Sequence, residues 1–376
     1  MPRIFIVTGE ASGDVHGANL ARALQALDPG VSILGVGGAR MRAAGVELVP
    51  DIGHLDIMGL IGPAALRILW KRVRTVRRLL KTESFDAVVL IDNPGLNFHF
   101  ARIAKRVGRR VIYYITPQIW AWRPRRMRWM QRRVDHAIVI LPFEEELYRR
   151  AGVPCTFAGH PLLDEVAPSY DRDELRKRFG LESSAPVVGL LPGSRESEVR
   201  ALFPAMLHAA ELIARQHPGA QFLVAQAPSI TGERLNALSA GASVKVRMVQ
   251  DQASEVMAAS DVLLVASGTA TLQAAVVGTP MVLVYRTSWL TYRLARWLIR
   301  IPWIGLVNIV AGRSIMPELI QQEATPERMS TEVSLLLTDG QAASRMRMEL
   351  RKVREALGSP GASRRAAAVV LAECRA

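Results

Sequence analysis

Cysteine is nearly absent: Cys155 and Cys374 are the two in 376 residues. Two thiols make no disulfide framework, which excludes the small stapled secreted folds and fits a reducing compartment. No group of His, Cys, Asp and Glu stands at metal-ligand spacing, and no cofactor is expected. A charged-then-apolar leader is missing too, because the apolar run Ile4-Phe5-Ile6-Val7 begins almost at once; a chain without a signal peptide is expected. Long hydrophobic runs are also scarce. Residues 262–285 carry no charge, but Gly268, Thr269, Thr271, Gln273, Gly278 and Pro280 break the stretch. Strand, turn, helix and strand fit it better than one spanning helix. Acidic residues are in deficit. Between Asn93 and Val134 there is none, while Arg102, Lys105, Arg106, Arg109, Arg110, Arg123, Arg125, Arg126, Arg128, Arg132 and Arg133 fill the same window. The chain carries a formal charge of +14 with a pI of about 10.6. Such a surface attracts polyanions, either nucleic acid or anionic lipid.

What is present is enough apolar material for two cores: 49% of residues are hydrophobic, and a chain of this length is expected to form two domains. Short apolar runs predict strands at 3–8, 32–36, 86–91, 110–115, 136–140, 186–191, 221–225, 244–249, 261–265 and 281–285. Amphipathic helical stretches lie between them; in 199–214, Val199, Leu202, Phe203, Met206, Leu207, Ala210 and Ile213 follow the helical period. This βαβα rhythm predicts parallel sheets covered on both faces. The rhythm restarts at residue 186, after a Pro-rich and acidic stretch, 159–175, that reads as a hinge. The expected organisation is an N-terminal doubly wound domain over 1–165, a second over 166–345, and a helical tail over 346–376 broken by Gly358-Ser-Pro-Gly361.

Two such domains facing each other would line one cleft with the carboxyl ends of their strands. Four segments there stand out. In PGSRESE, 192–198, Gly193 lets the backbone approach a ligand, Ser194 or Ser197 can cap the next helix, and Arg195 offers a fork matched to phosphate. The competing reading is a capped helix with Arg195 paired to Glu198 or Glu196. In 266–280, Ser267, Gly268 and Thr269 open a helix with free N–H groups, a second anion-ready turn; a plain small-residue turn is the alternative. Two such turns in one domain favour a diphosphate. In VVLIDNPGLN, Asp92 ends a buried strand and is a general-base candidate, or else an Asx turn. The turn GEASGD at 9–14 carries two carboxylates, Glu10 and Asp14, which suits a partner with hydroxyls or amides better than a phosphate. His16, His99 and His160 are lone histidines that fit structural or solvated roles. Lastly, LRILWKRVRTVRRLL, 66–80, sets Leu66, Leu69, Trp70, Val73, Val76, Leu79 and Leu80 on one stripe and basic residues around it. Residues 289–303 repeat the theme with Trp289, Trp297 and Trp303. Both suit an anionic membrane surface, or a core-facing helix with a solvated basic face.

The motifs GEASGD, IDNPG-x-N, TPQIWAWR, LPFE, GHPLLD, LLPGSRESEV, SGTATLQA, GTPMVLVYR and NIVAGR, in this order from residue 9 to 313, resemble the lipid-A-disaccharide synthase family. The resemblance implies a GT-B glycosyltransferase, two Rossmann-like domains facing a central cleft, acting without metal. It implies UDP-2,3-diacylglucosamine as donor and 2,3-diacylglucosamine 1-phosphate as acceptor, giving the β-1,6-linked disaccharide 1-phosphate and UDP with inversion, in lipid A biosynthesis. It implies a peripheral protein on the cytoplasmic face of the inner membrane of a Gram-negative bacterium. The family's dimers can exchange C-terminal segments, so the tail either packs back or is exchanged in a homodimer. By position, Asp92 matches the proposed base, Arg195 and Ser267–Thr269 the diphosphate site, Asn308 and Arg313 the N-x-x-A-G-R motif, and Ser12 with its neighbours Glu10 and Asp14 a sugar-facing acceptor loop. One departure falls at Gln273, where the family usually has a Glu that takes the ribose hydroxyls; an amide can bond a hydroxyl but without charge. Two other readings remain beside this one: another UDP-sugar GT-B enzyme, such as a peptidoglycan-type transferase or an epimerase, and a basic nucleic-acid binder. Against the last, no helix-turn-helix, zinc-finger or RNP motif occurs, and no nucleic-acid partner is expected.

Overall fold

The structure, a computed structural model, describes residues 1–9, 11–50, 52, 63–122, 126–289, 292–293 and 302–375. Glu10, Arg123, Arg125, Trp297 and the side chain of Leu66 lie outside the described residues. The chain divides into two compact units, Met1–Asp164 with Leu357–Ala376, and Glu165–Ala356.

Among the described residues the first unit has a seven-stranded parallel sheet: β1 (Arg3–Thr8), β2 (Ser32–Val36), β3 (Glu47–Leu48), β4 (Ala87–Ile91), β5 (Arg110–Tyr114), β6 (His136–Val139) and β7 (Cys155–Phe157), in the order β3-β2-β1-β4-β5-β6-β7. β4 reads as continuous Ala, Val, Leu and Ile, and β1 as continuous Ile, Phe and Val from Ile4 to Val7, because both faces are covered. Phe5, Val7, Val88, Leu90 and Val111 face one core layer, and Ile4, Ile6, Val89, Ile91 and Ile112 the other. Into the second layer packs the C-terminal helix Ala362–Arg375 through Ala366, Ala367, Val370 and Leu371. Its Glu373 ties it to the sheet, pairing Arg110 Nη2 at 2.6 Å and His136 Nδ1 at 2.9 Å. The tail expected from 346 therefore divides. The helix Gly340–Ala356 belongs to the second unit, and the break at Gly358–Gly361 leads to a helix of the first.

The second unit has a six-stranded parallel sheet among the described residues: β8 (Val187–Leu191), β9 (Gln221–Gln226), β10 (Val246–Gln250), β11 (Val262–Ala266), β12 (Met281–Tyr285) and β13 (Glu318–Ile320), in the order β10-β9-β8-β11-β12-β13. Its amphipathic helix Glu196–Gln216 buries Val199, Leu202, Phe203, Met206, Leu207, Ala210 and Ile213, as the spacing predicts. The uncharged stretch 262–285 is β11, the helix Thr269–Val277 and β12. No helix among the described residues is long and apolar enough to cross a membrane. The hinge stretch is not structureless: it holds the helices Leu162–Glu165 and Arg172–Arg178. Both cysteines are free, with their thiols pushed up by burial to about 12 for Cys155 and about 11 for Cys374.

Candidate active site

Each sheet reverses its winding at one place, between β1 and β4 in the first unit and between β8 and β11 in the second. In a doubly wound sheet the crevice for a ligand opens outside the strand carboxyl ends at that switch point. The sequence motifs fall there. Thr8 of β1 pairs with Ile91 of β4, so GEASGD and DNPG leave adjacent strands. Leu191 of β8 pairs with Val265 of β11, so PGSR and SGT do the same.

In the first unit the chain turns sharply after β4. Asp92 and Asn93 both have positive φ, 49° and 40°, and so does Ile115 after the neighbouring β5, at 57°. A β-branched residue in that region is costly and persists only where surroundings impose it. Here they do. Tyr113 Oη donates to the Asp92 carbonyl at 2.7 Å, Asn97 Nδ2 donates to it at 2.8 Å, and Asp92 N–H donates to Tyr114 O at 3.2 Å. The Asp92 backbone is thus fixed while its carboxylate stands half-buried at the strand end. Asn93 caps the helix Pro94–Arg106 through Leu96 N–H. Its side chain lies so near Gly9 that a Cβ there would fall 1.7 Å from Asn93 Nδ2, which explains the glycine.

Asp14 has a structural task in this loop cluster. Buried in the first turns of the helix Ala11–Leu27, it accepts from Gly38 N–H at 2.7 Å, Arg40 N–H at 3.0 Å and Met41 N–H at 3.1 Å. Its carboxylate holds the N-terminus of the short helix Ala39–Ala43, where the helix dipole favours negative charge. This accounts for one of the two acids in a turn that would otherwise suit phosphate. Ser12, in contrast, is exposed. His16 and His160 are buried and kept neutral, each pushed down to about 4.

A contact that the motif spacing did not reveal lies after β5. Trp120 Nε1 donates to Glu144 Oε1 at 3.0 Å, and Leu141 N–H donates to Glu144 Oε2 at 3.1 Å. Glu144 is 1% exposed, and burial pushes its carboxyl up to about 7. Pro142 and Glu144 open the helix Pro142–Arg150; Pro at the first position and Glu at the third was the available signal. Phe143 meets Trp120 edge-on at 4.8 Å. TPQIWAWR and LPFE, separate in sequence, are therefore one cluster.

In the second unit, PGSR takes the geometry of the capped-helix reading, with Arg195 paired to Glu198. Glu198 turns back onto the turn that precedes it: Oε2 accepts from Ser194 N–H at 3.2 Å and Arg195 N–H at 3.3 Å, and Oε1 accepts from Arg195 Nη1 at 2.9 Å. A carboxylate occupies the place where two backbone N–H groups and a guanidinium converge. Gly193, at φ 112°, admits it; a Cβ would fall 2.6 Å from Glu198 Oε2. Ser229, after β9, donates to Ser194 O at 2.5 Å and braces the turn from the other side. Gly268 and Thr269 are exposed at the start of the helix Thr269–Val277, and Ser267 is half-buried. Gln273 donates from Nε2 to Ser254 Oγ at 2.7 Å, which orients its amide. Asn308 is completely buried and entirely engaged. Its Nδ2 donates to Met316 O and Glu318 Oε1, and its Oδ1 accepts from Ile315 and Met316 N–H. It thereby fixes the loop carrying Arg313, whose exposed guanidinium pairs with Glu349. No group of three potential metal ligands occurs among the described residues.

With the geometry in hand, the comparisons with known proteins agree with one another. A family model described as lipid-A-disaccharide synthetase matches residues 4–372. The lipid-A-disaccharide synthases of Geobacter metallireducens and Myxococcus xanthus are 45% and 41% identical to the chain, each match covering 98% of it and 96% and 97% of the relative. Among solved structures, the UDP-GlcNAc 2-epimerase of Neisseria meningitidis aligns with a TM-score of 0.65 at 13% identity, over 98% of this chain and 100% of that one. The calicheamicin glycosyltransferase aligns with a TM-score of 0.61 at 18% identity, over 99% and 98%. Those two show the fold alone, the two parallel-sheet units of GT-B glycosyltransferases and epimerases. The family match and the near relatives show more: the chain belongs to the lipid-A-disaccharide synthase family of glycosyltransferases.

Proposed function

We propose that the chain transfers 2,3-diacylglucosamine from its UDP donor to the 6-hydroxyl of 2,3-diacylglucosamine 1-phosphate, with inversion and release of UDP. The observation that carries the reading is the pairing of the PGSR and SGT turns on adjacent strands at a switch point. The donor diphosphate takes the N–H groups of Ser194, Arg195, Gly268 and Thr269, the hydroxyls of Ser267 and Thr269, and the Arg195 fork. These donors stabilise the charge that develops on departing UDP. The diphosphate displaces the Glu198 carboxylate, which in its absence satisfies the same groups. Gln273 serves a ribose hydroxyl, and Asn308 acts through the Arg313 loop that it fixes. In the first unit, Asp92 takes the proton from the attacking hydroxyl, and Ser12 and Glu10 belong to the acceptor side, on a turn shaped by Asp14.

The same reading makes the protein peripheral on an anionic membrane surface at the cytoplasmic face of the inner membrane, consistent with its charge and with acylated substrates. Ile68 and Trp70 are exposed on the helix Pro63–Thr82, and Trp289 is exposed with Arg293 4.8 Å over its ring. A homodimer with exchanged tails is compatible with the helix Ala362–Arg375, which packs on the first unit but follows in sequence from the second through residues 357–361. The test is incubation with the two acylated sugars and mass analysis of the products. A disaccharide 1-phosphate with stoichiometric UDP is expected; UDP-sugar hydrolysis or epimerisation without a disaccharide would overturn the reading.

A further inference from the structure

Arg347 and Arg354 are seven residues apart on the helix Gly340–Ala356. They leave one face two turns apart, about 10.5 Å along the axis. Both line a cavity of about 230 Å³ in the second unit, and Arg172 completes its cationic wall. Ser169, Tyr170 and Thr279 are among the lining residues, and no acidic residue is.

The positive charges are only partly answered. Asp261, just behind the wall, is shared: its carboxylate pairs with both Arg172 and Arg176 and also accepts from Val187 N–H at 2.8 Å. Arg172 Nε is buried without a hydrogen-bond partner. Arg354 reaches two backbone carbonyls, Val276 O at 3.2 Å and Pro168 O at 3.5 Å, and so caps the end of the helix Thr269–Val277. Arg347 makes no hydrogen bond or ion pair with any described residue. Asp261 thus answers two guanidiniums, while the Arg347 fork is unused and the Arg172 Nε donor is orphaned.

The place is separate from the donor turns. Ser260 lies two residues before β11 and Pro280 one before β12, so the cavity sits at the amino-terminal edge of the sheet. PGSR and SGT leave the opposite edge, about 16 Å away along a five-residue strand. The volume falls below the roughly 300–1,000 Å³ of sites that enclose a whole small molecule. It suits a compact anion, and paired arginine forks match phosphate oxygens.

We propose that this cavity binds a phosphate group, either free phosphate or diphosphate or the phosphate of a lipid headgroup. Its position gives the binding a consequence. The chain leaves the first unit after Asp164 and re-enters it at Leu357. Pro168 to Arg172 follow the first crossing and Arg354 precedes the second, so an anion held by Arg172, Arg347 and Arg354 ties both crossings to one helix.

The test uses the full chain with the donor site saturated by UDP. Calorimetric titration with inorganic pyrophosphate and with phosphate is expected to show one further site per chain. Arg347→Glu should weaken that site at least tenfold, and Arg347→Lys should weaken it less. Both variants should keep the unliganded melting temperature and the turnover rate measured without added anion. In a parallel arm, vesicles of phosphatidylcholine with and without phosphatidic acid are compared; headgroup binding that is lost in Arg347→Glu while pyrophosphate is silent assigns the lipid source. The proposal is overturned if neither arm shows binding, or if the binding seen is indifferent to Arg347→Glu.

Discussion

Asp92, the proposed base, sits on a backbone that few residue types accept. With φ at 49°, followed by Asn93 at 40°, the turn favours Asp, Asn or Gly. Asn at position 92 therefore preserves the shape and the bonds from Tyr113 and Asn97, which go to the main-chain carbonyl. This makes Asp92→Asn a clean probe. The proposed general-base role is worth about 10²–10⁴-fold, so under it the variant should lose that much kcat with KM little changed. If Asp92 only shapes the turn, the rate stays near normal; a normal kcat with intact folding would remove it as the base. Arg195 is probed differently. Its guanidinium is exposed and paired with Glu198, so removing it leaves the fold standing. Arg195→Ala should lower kcat/KM by about 10²–10³-fold, the scale for losing one donor to a developing anion, and weaken UDP in equilibrium titration. Unchanged UDP binding and turnover would move the diphosphate elsewhere.

The helix Pro63–Thr82 divides its apolar stripe between two tasks. Val76 and Leu80 are fully buried in the first unit's core, and Val73 and Leu79 pack against it. On that stripe Trp70, about one turn earlier, is exposed, with Arg74 5.3 Å over its ring, and Ile68, off the stripe, is exposed as well. Replacing Ile68 and Trp70 by Ser should release the protein from anionic vesicles and leave its melting temperature unchanged. Leu80→Ala should instead cost about 2–5 kcal/mol of stability, the range for a core truncation, with vesicle binding kept by the folded fraction. Binding that survives the double substitution would place the membrane contact elsewhere. The division was not legible from the stripe, because a helical period fixes which residues share a face but not how far along the helix the core extends. Other elements show the same limit. All ten expected strands are present, whereas β3, β7 and β13 were missed; each has two or three residues and lies at a sheet edge. Too few residues alternate there to register a period, and the pairing that defines them comes from the neighbouring strand. Motif position was legible, because turn chemistry is local. What Asp14 and Asn308 do was not, since both bond to backbone groups brought near only by the fold.

Stability of the whole molecule against pH is set in part by three buried groups that pull in opposite directions. His16 and His160 are held neutral by burial, each down from 6.5 to about 4. Unfolded chains bind protons at these histidines between about pH 6.5 and 4 while the folded protein does not, so their contribution is present above 6.5 and is lost as pH falls. Glu144 behaves in reverse. Burial raises its carboxyl from 4.5 to about 7, so between those values the folded protein holds a proton that the unfolded chain has released. Its contribution is present below about 4.5 and is lost as pH rises to 7. Over pH 4.5–6.5 two groups make stability rise with pH and one makes it fall. Glu144→Gln removes the opposing member, and its amide can still accept from Trp120 Nε1. The melting temperature of the variant should therefore climb more steeply than that of the parent over pH 4.5–6.5. Near pH 7 the parent should also decline relative to the variant, because there Glu144 alone is still titrating. Parallel melting curves across pH 4.5–7 would mean that Glu144 carries its charge in the folded state with no penalty, and that the Trp120 bond is made to a carboxylate throughout. Steeper curves would mean that near neutrality the protein exists in two protonation states that differ at the contact joining TPQIWAWR to LPFE. Turnover measured beside the melting curves then reads whether that contact matters to the site, since the parent's rate would change with an apparent pKa near 7 that the Gln variant lacks.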